Sequence, residues 1–140
     1  MERSEGQRTE PLSVLVVEPS QPLREAIKWV LSHNERCLLT GEARDEEEAM
    51  AKAAELQPAM VLLDVGVAAG GMAALGRLAR AFPETRVVAL LSDYSDEYRS
   101  SAHAHGAFAC VAMEHLEEHL AWAVQKALST PGAAVFPLEE

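Results

Sequence analysis

Short apolar runs alternate along the chain with segments whose apolar residues recur every three or four positions, and this alternation predicts five strands, each followed by a helix. "LSVLVVE" (Leu12–Glu18) reads as the first strand, and Leu23, Ala26, Ile27, Val30 and Leu31 keep helical spacing behind Ser20 and Pro22. "CLLTGEA" reads as a second, shorter strand, after which Asp45 and Glu48 form a capping-box pattern ahead of Ala49, Met50, Ala53 and Leu56. "PAMVLLDVGVAAGG" (Pro58–Gly71) supplies a third strand that stops on a lone carboxylate, Asp64, and runs out into small residues; Leu75, Leu78, Ala79 and Phe82 then mark a helix face. "RVVALL" is the fourth strand, set off by Pro83, and a helix over about 96–105 ends at Gly106, a C-cap candidate. "AFACVA" is the fifth, and Leu116, Leu120, Ala123, Val124 and Ala127 stripe the last helix.

Five such units with short connections imply an α/β fold, a parallel sheet with right-handed crossovers and helices on both faces. Open sheets of this kind keep their ligands at the carboxyl ends of the strands, where Asp64 stands. The 140 residues, 49% of them hydrophobic, suffice for one core and not for two domains of ordinary size. They divide into an arm over 1–11, one domain over 12–128 and a tail over 129–140, in which "AVFPL" offers a docking segment.

Acidic residues outnumber basic ones by 22 to 12, for a formal charge of −10, so a phosphate backbone would be repelled and no nucleic-acid partner is expected. The opening "MERSEGQRTE" lacks the apolar core of a signal peptide, and no run approaches the ~20 apolar residues of a membrane span. A cytoplasmic protein with no membrane partner is the expectation. Cys37 and Cys110 have no paired-ligand spacing and read as free thiols.

In this order the features resemble the receiver domain of bacterial two-component response regulators, over roughly Leu12 to Leu128. "VLVVEPSQPLREAIKWVL" resembles the receiver opening, an apolar strand, an acidic pair and a helix beginning near Leu-Arg-Glu. "PAMVLLDV" is similar to the phospho-acceptor strand, and "HGAFACVAME" to the Gly-Ala turn and fifth strand that lead to the family's lysine. The resemblance implies a flavodoxin-like (βα)5 doubly wound sheet of strand order 2-1-3-4-5, with the site at the carboxyl ends of strands one, three, four and five.

Phosphoryl transfer at such a site needs an aspartate nucleophile, a divalent cation to gather phosphoryl oxygens, and cationic or hydroxyl donors for the developing charge. The resemblance makes Asp64 the phospho-acceptor and puts Glu18 and Pro19 at the acidic pair, where proline offers no carboxylate. The switch hydroxyl position falls on Leu91, with Ser92 one residue on, and the lysine position falls on Met113. Magnesium, if bound, would be held by Glu18, Asp64 and the backbone at Gly66, and the loop "VGVAAGG" lacks the family's proline. A charge-assisted hydrogen bond is worth about 1.5 to 3 kcal/mol, so losing the lysine contact and one metal carboxylate costs roughly 3 to 6 kcal/mol. That corresponds to about a hundredfold to ten-thousandfold in phosphorylation. Two readings of Asp64 stand at this point, a residual phospho-acceptor or a polar strand end that caps its own loop; Glu18 reads more simply as a solvated carboxylate.

Other constellations carry less. "HLEEH" (His115–His119) matches an H-x-x-E-H zinc signature, but a catalytic zinc needs a third ligand and a cleft, and the pair is expected at a solvent-facing helix start. His103 and His105 form another weak pair, with His105 favoured as a cation at a helix C-terminus. "GVAAGG" has no following lysine to make it a phosphate loop.

The resemblance implies a stand-alone, degenerate receiver acting by protein contact, not an enzyme and needing no cofactor. The alternative is a conventional phosphorelay receiver, phosphorylated on Asp64 by a histidine kinase with magnesium; a histidine-based metal hydrolase is a third class. Partners are then a signalling protein or histidine kinase. Helical spacing also puts both tryptophans, Trp29 and Trp122, off the core stripes. With the first and last helices on one sheet face, the two indoles are expected to share a patch for docking or homodimerisation.

Overall fold

The computed structural model describes residues 11–67 and 70–130. Residues 1–10 of the arm over 1–11 and the docking segment "AVFPL" lie outside the described residues. Five strands, β1 (Leu12–Val17), β2 (Cys37–Ala43), β3 (Met60–Asp64), β4 (Arg86–Leu91) and β5 (Ala109–Ala112), form one parallel sheet in the order β2-β1-β3-β4-β5. The helices between and after them are α1 (Gln21–Ser32), α2 (Glu46–Leu56), α3 (Gly71–Ala81), α4 (Asp96–Ala104) and α5 (Leu116–Ser129). The flavodoxin-like receiver arrangement expected from the sequence is thus present.

Local chemistry starts these helices where the pattern placed them. Ser20 accepts from the Leu23 amide, with Pro22 in the first turn of α1; Asp45 accepts from Glu48 on α2, and Ser95 from Tyr98 on α4. Between β5 and α5 a 3-10 turn, Met113–His115, carries the chain off the sheet. Gly106, with φ of +109°, ends α4 in a left-handed conformation suited to glycine, and a Cβ there would meet Ala79 Cβ at 2.8 Å.

Because side chains alternate along each strand, the sheet splits its apolar residues between two layers. Val14, Val16, Leu62, Leu90 and Val111 pack under α1 and α5 with Ile27, Leu31, Leu120 and Val124. Leu15, Leu63, Ala89 and Leu91 pack under α2, α3 and α4 with Ala53, Leu75, Leu78 and Ala102.

Three expected core positions are not core. Leu23 is 43% exposed and Ala26 is exposed, since the contact stripe of α1 centres on Ile27 and Leu31. At 100° per residue Ala26 points about 120° away from that stripe, and Leu23 sits in the first turn, a full turn before the contact begins. Leu56 is exposed on one side because it covers the edge strand at Gly41, where an added Cβ would meet its Cδ1 at 2.7 Å. The pairing of β2 with β1 slips between Val14 and Leu15, and the Thr40 hydroxyl donates to Val14 O at 3.1 Å beside the slip.

Candidate functional site

The first two site residues leave adjacent strands at the same edge of the sheet. Glu18 follows β1 directly, its amide bonded to Ala43 O at 2.9 Å, and its side chain is 1% exposed. Glu18 Oε2 accepts from the Ser20 amide at 3.0 Å, while Oε1 has no donor among the described residues. The neighbouring Asp64 carboxylate faces it, and two ionised carboxylates can only accept. Burial, then hydrogen bonding to Asp64, then the Asp64 charge push the Glu18 pKa up to about 7, against the pull of the Ser20 amide and Arg24. Glu18 is therefore not the solvated carboxylate expected from sequence; its place at a strand end is roofed by the β1–α1 turn.

Asp64 ends β3 opposite Leu90 and is partly exposed. Its Oδ1 accepts from the Gly66 amide at 2.8 Å, so the side chain fastens the start of its own loop. An added Cβ on Gly66 would stand 3.1 Å from that same oxygen. Arg24 completes the arrangement from α1, donating Nη1 to Glu18 O at 2.6 Å and Nε to Glu42 Oε1 at 3.2 Å, while Lys28 reaches Glu42 Oε2 at 2.7 Å. These contacts tie the β1–α1 turn to the edge strand.

The remaining positions bring no charge. Pro19 is half-buried and carries no carboxylate. Leu91 closes β4, buried in the layer under α2–α4 and paired with Ala112; the register of β4 runs unbroken, and Ser92 beyond it is exposed. Met113 stands at the end of β5, half-buried against the layer under α1 and α5. A magnesium site would draw on Glu18 and Asp64, and the free Oε1 of Glu18 suits a cation. Against this, Pro19 supplies no third carboxylate, and no cluster of three or more His, Cys, Asp or Glu fit to hold a metal occurs among the described residues. Magnesium commonly binds through one or two carboxylates, with water and phosphate oxygens completing its shell, so Glu18 and Asp64 would leave most of that shell to other oxygens.

Outside this edge, the histidines have structural partners. His119 is not turned to solvent as expected: its Nδ1 accepts from the Ala112 amide at 3.0 Å, and its ring packs against Tyr94 at 5.0 Å and His115 at 5.5 Å. His115 pairs with Glu118 at 3.5 Å. His103 Nδ1 lies 3.2 Å from Ala107 O, and His105 Nδ1 lies 2.8 Å from Ser101 O, closing the end of α4.

Both tryptophans are exposed, Trp29 at 60% and Trp122 at 53%, as expected. Glu117, Leu120 and Ala121 line a cleft of about 280 Å³ with Val30, His33 and Asn34 of the α1 end, and Gln125 bonds Arg36; these positions face α1. Trp122 instead lies over Lys126, whose Nζ donates to Phe108 O at 3.0 Å, on the β5 side.

Residues 14–125 match the response regulator receiver domain. The chain belongs to that family. Over 80 residues it is 36% identical to the response regulator GacA of Pseudomonas protegens, covering 56% of this chain and 38% of GacA. Over 118 residues it is 30% identical to the uncharacterized transcriptional regulatory protein YxjL of Bacillus subtilis, covering 83% of this chain and 53% of YxjL. The receiver thus spans about two fifths to half of these curated relatives. The receiver domain of NtrX from Brucella abortus superposes with a TM-score of 0.73 at 26% identity, covering 84% of this chain and 98% of that domain. The signal receiver domain of NarL from Mycobacterium tuberculosis gives 0.74 at 22% identity, covering 85% and 97%, a likeness of fold. This is a response-regulator receiver domain of two-component signalling, and no helix among its described residues is long and apolar enough to cross a membrane.

Sequence reasoning missed two residues that shape the site. Arg24 was visible only as part of the helix opening, and nothing in its spacing signalled that it would reach back to Glu18 O. His119 falls within the zinc signature, whereas its position seven residues after Ala112 lets it return to the end of β5.

Proposed function

We propose that this receiver is degenerate and works by docking to a signalling protein, with little or no control by phosphorylation. The observation that carries this reading is that Asp64 faces a second, buried carboxyl group, while the neighbouring strand ends present Leu91 and Met113. A phosphoryl group on Asp64 would add negative charge beside Glu18 with no lysine to receive it and one metal carboxylate missing at Pro19. Catalysis is not part of this reading, and docking uses the α1/α5 face, where Trp29 is exposed; a second copy of the chain is one occupant that fits such a face.

The partial exposure of Asp64 at the end of β3 favours a second reading, a conventional phosphorelay receiver charged by a histidine kinase with magnesium. Acetyl phosphate with magnesium, followed by intact mass measurement, separates the two. The expected result is no phosphoryl adduct on wild type and the same spectrum for Asp64→Asn. A substantial adduct on wild type that Asp64→Asn abolishes establishes the second reading instead.

A further inference from the structure

We infer that His119 is a proton-operated latch: its neutral ring fastens the end of β5 to α5, and protonation of the ring undoes the fastening. The Ala112 amide donates to His119 Nδ1 at 3.0 Å, and an N–H can donate only to a ring nitrogen that carries no proton of its own. The imidazolium has no such nitrogen. In that form Nδ1–H points at the Ala112 N–H, and a hydrogen bond becomes a contact between two donors. Ala112 is buried, so water is poorly placed to take the acceptor's part.

The groups around the ring do not make good this loss. From the 3-10 turn, His115 stacks on it at 5.5 Å, a second imidazole that turns cationic over the same pH range. From the connection between β4 and α4, Tyr94 packs at 5.0 Å, and its ring already serves the Arg99 guanidinium, 4.7 Å from its centroid. Cys110, two residues before Ala112 on β5, keeps a neutral thiol because burial raises its pKa. The acids nearby are engaged or open to solvent: Glu118 lies 3.5 Å from His115 Nδ1, Asp96 pairs with Arg99, and Asp93, Glu114 and Glu117 are exposed. None accepts from Nδ1–H. The proton and the strand-end bond therefore exclude each other.

What depends on the bond is the segment between its two ends. Side chains cap α1, α2 and α4, whereas α5 begins with no capping side chain, so the return of His119 to Ala112 is what ties its first turn to the strand. That stretch holds Met113, at the end of β5, and Glu117, which lines the cleft with the end of α1. Acid thus loosens Met113–Glu118 while the sheet stays intact.

Amide hydrogen exchange on the full chain, expressed as protection over the intrinsic rate at each pH, reads the latch. From about pH 8 to about pH 5, protection at Ala112 is expected to fall about tenfold or more, while protection at Leu62 in the sheet centre does not fall. His119→Asn keeps an acceptor in the place of Nδ1 and takes no proton. In that variant Ala112 protection should not fall with pH, whatever its starting level. Wild-type Ala112 that keeps its protection at the lower pH overturns the latch. So does an equal fall in His119→Asn, which assigns the change to another group such as the Glu18–Asp64 pair, and so does a fall that His115→Gln abolishes, which assigns it to His115.

Discussion

Glu18 and Asp64 set two carboxyl groups against each other at the ends of adjacent strands, and the Glu18 oxygen left without a donor becomes satisfied only when a proton joins the pair. Holding that proton to a pKa of about 7, against an ordinary 4.5, is a statement about stability as well as charge. The folded state binds more protons than the unfolded chain between those two values. Stability from this source is therefore complete below about pH 4.5 and is lost as pH rises toward and through 7. A shift of this size corresponds to about 3 kcal/mol at most. Glu18→Gln keeps the shape and removes the titration. Urea unfolding at pH 5 and pH 8 is expected to show wild type losing up to that amount at the higher pH while Glu18→Gln loses much less. Equal pH dependence in the two proteins contradicts a proton held by this pair.

His119 makes a second prediction from a backbone contact. Its Nδ1 is the acceptor for the Ala112 amide, so the proton of the neutral ring resides on Nε2, and the imidazole links the end of β5 to α5. Removing it leaves a buried strand-end amide without that partner and strips a ring from Tyr94. His119→Ala is expected to lose about 1 to 3 kcal/mol in denaturant unfolding. The loss should be local. Hydrogen exchange should quicken at Ala112 well before it quickens at Leu62 in the sheet centre; unchanged exchange at Ala112 shows that the bond contributes nothing.

How much of this was legible in the sequence differs between the frame and the site. The alternation of apolar runs with helical stripes was enough for five βα units, because strands buried on both faces and one-sided helices leave opposite signatures. The apolar side chains at Leu91 and Met113 and the missing carboxylate at Pro19 were equally readable, since each is an identity at a position. The state of Glu18 was not, because burial of a strand-end side chain depends on how the β1–α1 turn folds over it. Arg24 was lost for a related reason: its partner is the backbone carbonyl of Glu18, and carbonyls leave no trace in a pattern of residue types. Leu23 and Ala26 fit the helical period but lie beyond the reach of the sheet, a limit set by where the helix begins its contact.

The last prediction separates the two tryptophans. On α5, Glu117 and Ala121 line a cleft with the end of α1 and Gln125 bonds Arg36, while Lys126 lies over the Trp122 ring. A docking surface on the α1/α5 face then depends on Trp29, which is 60% exposed, stacks on His33 at 4.1 Å and stands beside the cleft lined by Val30, His33 and Leu120. An exposed indole at the centre of an interface is commonly worth about 2 kcal/mol or more, which is roughly thirtyfold in affinity. If a second copy occupies this face, light scattering should find wild type dimeric at a concentration where Trp29→Ala is monomeric and Trp122→Ala is still dimeric. A dimer unaffected by Trp29→Ala places its interface elsewhere. A dimer lost in Trp122→Ala and kept in Trp29→Ala moves the contact to the part of α5 around Trp122.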